Sequence, residues 1–178
     1  MRLEDLNDSL SRLRDWIDNA DTKTSVIIAV ITLALGFTLP EIKDTKEILL
    51  RSGIAAVNIV FLAVWTFYLY NLFFSLYHAL HALAPHRDAS RVTSVNGRPS
   101  VTDFPGIAKL SLEEYIKAVD STDEEQLRQE LIQLCYQFGQ GASHKFKHFL
   151  MAMWAFRLAL IAQIVIFAWI TIVLPNGV

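Results

Sequence analysis

The chain has 178 residues, 53% of them hydrophobic, and a formal net charge of −2 at pH 7. A mean hydropathy of +0.33 is high for a soluble domain, and without a basic excess the charge gives no ground for nucleic-acid binding. The single cysteine, Cys135, excludes an intrachain disulfide and a cysteine-based zinc site and reads as a half-buried small residue.

Residues 3–19 place Leu3, Leu6, Leu10, Leu13 and Ile17 at spacings of three and four, with Trp16 beside them. This is the period of one apolar helical face, so residues 1–19 are expected to form an amphipathic cytoplasmic helix. Asp5, Asp8, Arg12 and Asp15 on the other face make lipid binding the weakest of its roles, behind packing on a neighbouring subunit or on the protein's own cytoplasmic part. These first residues lack the apolar core and cleavage site of a secretory signal, so the first apolar run is expected to stay in the mature protein.

That run, TSVIIAVITLALGFTL, carries no charge, and with the residues back to Ala20 it predicts transmembrane helix 1 over 20–39, stopped by Pro40. Asp21 and Lys23 stand at its entrance, where the lysine is long enough to snorkel. A polar link leads to transmembrane helix 2 over 53–80, a stretch with no Asp, Glu, Lys or Arg. Tyr68, Tyr70 and Tyr77 suit the membrane interface, and Asn58 and Asn71 are expected to face other helices.

Residues 81–148 form a cytoplasmic segment, mainly helical. Pro85, Pro99, Pro105, Gly97 and Gly106 break its first part, and Asn96-Gly97 between Val92/Val95 and Val101/Phe104 has the pattern of a small β-hairpin near 91–104. Ser111 with Glu114, and Thr122 with Glu125, are capping-box pairs that open two helices. Leu127, Leu131, Leu134 and Phe138 share one face of the second helix, which is expected to end or kink near Gly139 and Gly141. It should feed almost coaxially into transmembrane helix 3 over 149–174, interrupted only by Arg157 and Gln163. The fold class is thus an all-α integral membrane protein with three spans.

Lys and Arg counts orient it. Arg2, Arg12, Arg14 and Lys23 precede helix 1, and eight more lie between helices 2 and 3, making twelve on one side against Lys43, Lys46 and Arg51 on the other. The positive-inside rule puts the N-terminus and residues 81–148 in the cytoplasm and the C-terminus in the periplasm of a bacterial inner membrane.

No phosphate loop, nucleophile elbow or zinc-protease motif is present, so no enzyme is expected. His78, His81, His86, His144 and His148 gather near the cytoplasmic mouth. His144 and His148, four apart, share a face, yet no carboxylate of fixed spacing completes a site, and neither a metal nor a cofactor is expected. Asp18, Asn19, Asp21 and Lys23 before helix 1 should reach the same depth as His144, Lys145 and Lys147 before helix 3. Two readings stay open: interfacial caps and salt bridges, or a mouth that takes an anionic ligand, with Lys and His on a phosphate and Asp or Asn at a base edge.

Arg157 lies roughly 15 Å beyond Lys147 at 1.5 Å per residue. Such a residue either snorkels or contacts a helix, or it lines a pore or gate with Gln163, and the sequence leaves both open.

The string DWIDNADTKTSVIIAVITLALGF, with Trp16, Ala20, Asp21, Lys23 and Ser25, resembles the opening of the Pycsar effector transmembrane family, with Thr24 in place of the usual alanine. The resemblance continues through LHALAPH after helix 2, DFPGIAKLSLEEY at 103–115 and HKFKHFLMAMWAF. It implies an anti-phage effector of the inner membrane, controlled by a nucleotide second messenger that a neighbouring cyclase or nucleotidyltransferase makes. Residues 81–148 are too short for a full cyclic-nucleotide-binding β-roll, so the ligand requires a smaller or oligomeric site.

The expected function is therefore a nucleotide-responsive anti-phage effector that works in the lipid bilayer as a homo-oligomer and permeabilises or depolarises the inner membrane. Its rival is a non-conducting membrane anchor or assembly subunit that binds a cytoplasmic protein partner. A metal or ion transporter subunit would need a relay of intramembrane acidic residues, and the predicted spans have none beyond Asp21 at the entrance of helix 1.

Overall fold

The computed structural model describes residues 3–52, 56–84, 100–102 and 104–173, and the side chains of these except 39–58, 104–105 and 172–173. Regular structure among them is helical: α1 (Leu3–Ser52), α2 (Ala56–Leu83), α3 (Phe104–Ile107), α4 (Leu112–Asp120) and α5 (Glu124–Val173). α1, α2 and α5 each contain a segment long and apolar enough to cross a bilayer, so the chain is an all-α membrane protein with three candidate spans. The hairpin expected near 91–104 falls largely on residues outside those described.

The chain divides into two compact units, Met1–Ala20 with Ala84–Phe146 and Asp21–Leu83 with Lys147–Val178. They are called here the head unit and the membrane unit.

Both long helices differ from their expected ends. α1 continues helically through Pro40 to Ser52, because a proline removes only one ladder hydrogen bond and the residues after it, including Glu41, Lys43, Lys46, Glu47, Leu49 and Leu50, favour helix. α5 likewise runs on through Gly139 and Gly141. Each glycine costs about 1 kcal/mol against alanine, which a helix of 50 residues absorbs.

The head unit is built on a heptad seam. Leu6 and Leu10 of α1 are buried with Leu131 and Leu134 of α5, and Leu3, Leu127, Cys135 and Phe138 pack around them. Each leucine withdrawn from water is worth about 1.5–3 kcal/mol. The half-buried Cys135 thiol donates to the Leu6 carbonyl at 3.7 Å, and the Arg14 guanidinium lies 5.8 Å from the Phe138 ring centroid.

Glu130, 8% exposed, fastens the segment Ser100–Thr102 to α5. One carboxylate oxygen accepts from the Ser100 hydroxyl at 2.9 Å, the Val101 N–H at 3.1 Å and the Thr102 hydroxyl at 2.9 Å. Gly106 lets the chain close on this strap, since a Cβ there would stand 2.8 Å from the Ser100 carbonyl oxygen. The Tyr115 hydroxyl reaches the Val101 carbonyl at 3.5 Å.

α4 opens with the predicted capping box. The Ser111 N–H donates to Glu114 Oε2 at 2.8 Å and the Glu114 N–H to Ser111 Oγ at 3.3 Å. The backbone bond, aided by the serine hydroxyl, holds the Glu114 carboxyl below the usual carboxylate range. The second box sits one residue later than expected. α5 begins at Glu124, so Asp123 caps it: the Gln126 N–H donates to Asp123 Oδ1 at 2.7 Å and the Asp123 N–H to Gln126 Oε1 at 3.4 Å. The Thr122 hydroxyl is spent on the Ala118 carbonyl at 2.7 Å, and Asp caps at least as well as Thr.

In the membrane unit, Ala152, Ala155, Ala159, Ala162 and Ile166 of α5 are all buried and recur every three or four residues, a small-residue seam that lets another helix approach. Trp65, Tyr68, Leu72, Ser75, Ala79 and Ala82 form the matching buried stripe of α2, and Thr24, Ile27, Ile31 and Thr38 that of α1. Ser75 Oγ donates across the seam to the Ala152 carbonyl at 2.8 Å. Ile27, Ile31, Trp65, Leu72, Ala159 and Ile166 meet in one cluster.

Asn71 is buried as expected, but its amide donates to Phe67 O on its own helix at 2.8 Å. Asn58 lies outside the described side chains. Tyr70 and Tyr77 are exposed, whereas Tyr68 is 2% exposed and bonded to Thr38 Oγ1 at 2.9 Å. The heptad stripe carries Tyr68 inward, and a phenol can be buried where its hydroxyl has a partner.

Candidate functional site

Between α1 and α5 of the head unit lies a groove of about 260 Å³. Its α1 side is Leu13, Trp16, Ile17 and Ala20, and its α5 side is Gly139, Ala142, Ser143, Lys145 and Phe146. Small residues on α5 leave the space, and the heptad pattern carries Lys145 to an inward position that an aliphatic residue would ordinarily fill. Lys145 is only 8% exposed and is engaged within the protein. Trp16, by contrast, is 72% exposed. The groove thus sets a buried lysine, itself engaged within the protein, beside an aromatic face open to stacking.

The other residues expected at the mouth fall as follows. Asp18 and Asn19 are exposed on α1 and His144 is exposed on α5, all in the head unit and outside the groove lining. Asp21, half-buried, with Lys23 and Lys147, both exposed, belongs to the membrane unit. Asp18, Asp21 and His144 are each engaged in further contacts.

His148 meets His78 of α2. Its Nδ1 lies 2.8 Å from Nδ1 of His78 in the membrane unit, so one imidazole donates and the other accepts. The His81 ring stacks on His148 with centroids 5.4 Å apart, and Tyr77 meets His81 edge-on at 4.4 Å. Among the described residues no three His, Cys, Asp or Glu side chains are arranged to hold a metal ion. The i, i+4 spacing pointed along one helix, while the pairing was made between helices, where a single helix's period carries no signal.

Arg157 is exposed, with its guanidinium 5.9 Å from the Trp154 ring centroid. Gln163 is half-buried and its side-chain carbonyl oxygen is buried without a hydrogen-bond partner. Sequence reasoning missed Glu130 altogether. One of three glutamates inside TDEEQLRQELIQL reads as a solvated charge, and only its place between Arg128 and Leu131 next to the buried seam hinted otherwise.

A search of curated proteins and a search of solved structures each return no match. A family model, by contrast, matches residues 5–174, nearly the whole chain, and its description is Pycsar effector protein domain. The match takes in all three candidate spans and the head groove, and the chain belongs to the Pycsar effector protein domain family.

Proposed function

We propose that this membrane effector of anti-phage defence responds to a nucleotide second messenger and, as a homo-oligomer, permeabilises or depolarises the bacterial inner membrane. The observation that carries the reading is that Lys145, 8% exposed, and Trp16, 72% exposed, both line the head groove. A phosphate would pair with the ammonium and a base would stack on the indole, each contact supplying what the other lacks. Oligomerisation follows from the span count, because three helices per chain cannot enclose a wide path. The twelve-to-three division of Lys and Arg supports a cytoplasmic head unit, on the side where the messenger would be made.

Purified full chain in liposomes tests this. Candidate cyclic nucleotides should change ion flux, and Lys145→Ala or Trp16→Ala should abolish the change while insertion persists. Unaltered nucleotide binding in both variants removes the groove from the reading. Loss of response in Asp21→Ala or Lys23→Ala would extend the site along the charged residues of α1. Reporters inserted at Asn96 and fused after Val178 should fall on opposite sides of the membrane.

One feature favours the alternative, a non-conducting anchor that binds a cytoplasmic protein. α4 buries none of its residues, and its apolar positions Leu112, Ile116 and Val119 are 74%, 51% and 43% exposed. Absence of flux under every nucleotide, with retained membrane insertion, selects that reading.

A further inference from the structure

Where the membrane unit ends at Leu83 and Lys147, three imidazoles from two helices come together. His78 is buried and His81 exposed on α2, and His148 is half-buried on α5. Nδ1 of His78 and Nδ1 of His148 are 2.8 Å apart, and the His81 ring lies against His148 with centroids 5.4 Å apart. Phe74 and Tyr77 meet His78 edge-on at 4.4 and 5.3 Å. One turn along the same seam Ser75 is bonded to Ala152, so α2 and α5 are tied twice at this end.

Proton counting fixes what the histidine pair tolerates. A neutral imidazole carries one N–H and one bare nitrogen. In the bond one ring presents its Nδ1–H and keeps a bare Nε2, while the other presents a bare Nδ1 and keeps its proton on Nε2. A first added proton has a place on the donor's Nε2 and leaves the bond intact, now charge-assisted. A second has only the acceptor's Nδ1. There it removes the lone pair that holds the bond and sets two cations against each other, one of them on a buried ring packed on Phe74.

The other titratable and charged groups at this end do not alter that count. Tyr77 and His81 stand on α2, Lys147 precedes His148 on α5 and is exposed, and α1 enters the membrane unit with Asp21, half-buried, and Lys23, exposed. Asp21 and His148 each have further contacts. His144 and Lys145 belong to the head unit. A carboxylate eases the arrival of charge, but a doubly protonated pair has no acceptor whatever surrounds it. A proton on His81 adds a third positive ring against His148.

We infer that His78 and His148 form an acid-released clasp between α2 and α5, closed while one of the two Nδ1 atoms is bare and open once both carry protons. The packing at this end of the membrane unit thereby answers to pH. The clasp is independent of the head groove and of any nucleotide.

The test uses the full chain in nanodiscs with its histidines labelled with nitrogen-15, at about pH 8 and about pH 4.5, either side of the ordinary imidazole value near 6.5. A nitrogen–nitrogen coupling across the hydrogen bond should join the two Nδ1 atoms at the higher pH, vanish at the lower and return on neutralisation. A second measurement compares thermal unfolding of the parent with that of His148→Gln, whose amide can bond His78 in either charge state without titrating. The parent should lose more stability between the two pH values than the variant does. Coupling that persists in acid, coupling absent at both pH values, or equal losses in parent and variant each overturn the inference. Because the coupling is read on the unsubstituted chain, it decides even if His148→Gln fails to assemble.

Discussion

Ser75 donates its hydroxyl to the Ala152 backbone carbonyl at 2.8 Å, a bond that requires α2 and α5 to approach within the reach of a serine. Ser75 and Ala152 are both fully buried. Removing the hydroxyl with Ser75→Ala should cost about 0.6 kcal/mol, the usual worth of an interhelical bond in a membrane. Ser75→Leu forces the seam apart and should cost about 1–3 kcal/mol as overpacking. Thermal unfolding in detergent should rank the parent, alanine and leucine forms in that order. A leucine variant as stable as the alanine one would contradict the close approach.

Glu130 should prove the most sensitive charged residue of the head unit. Glu130→Gln keeps the shape but weakens three acceptances at one oxygen, and Glu130→Ala leaves Ser100, Val101 and Thr102 without their acceptor. Hydrogen bonds to a charged group are worth about 1.5–3 kcal/mol each. Alanine should therefore destabilise the head unit by more than glutamine, and hydrogen exchange should show Val101 N–H losing its protection first.

The start of α4 gives a pH dependence of defined sign. Glu114 titrates below its ordinary range because the Ser111 N–H and hydroxyl bond to it. A carboxyl whose folded pKa is depressed stabilises the fold above its unfolded pKa, and that contribution disappears as pH falls through the folded value. Carboxyl-resolved NMR titration should find the Glu114 midpoint below that of an exposed glutamate, and Ser111→Ala should move it upward. The helix 112–120 should fray in acid sooner in that variant than in the parent.

Arg157 should be dispensable for depolarisation. Its guanidinium lies 5.9 Å from the ring of Trp154, three residues toward the helix N-terminus, which is the direction in which helical side chains lean and the direction of the charged end of α5. Arg157→Leu, compared with the parent at matched protein levels, should leave membrane depolarisation unchanged in infected cells. A large change in either direction would make it a gate.

The spans were legible because charge is absent from long stretches, a property of each segment alone. Leu6, Leu10, Leu131 and Leu134 could likewise be read from their spacing as helix faces. Pairings between helices were not legible in the same way. Nothing in one helix's period says that His148 meets His78, that Tyr68 finds Thr38, or that Glu130 receives a strap from residues 100–102, since each bond joins segments 28 to 70 positions apart. The shift of the α5 cap from Thr122 to Asp123 has a different cause. Two adjacent residues have nearly equal capping strength, and Gln126 answers Asp123 as well as Glu125 would have answered Thr122. At the candidate site, Lys145 was visible as a charge, but its burial depended on the groove that the facing helix supplies.

The alanine seam of α5 also sets how this gene can drift. A single base change turns any alanine codon into one for valine, and at Ala152, Ala155, Ala159 or Ala162 that step adds two methyl groups where each residue is at most 5% exposed. Ile161, Ile164 and Phe167, exposed on the same helix, tolerate exchange among apolar residues because lipid reshapes itself around them. In a population of variants, α5 should therefore show a narrow frozen line of alanines beside freely varying neighbours, and deep mutational scanning of one helix would map the interior of the membrane unit without any structure determination.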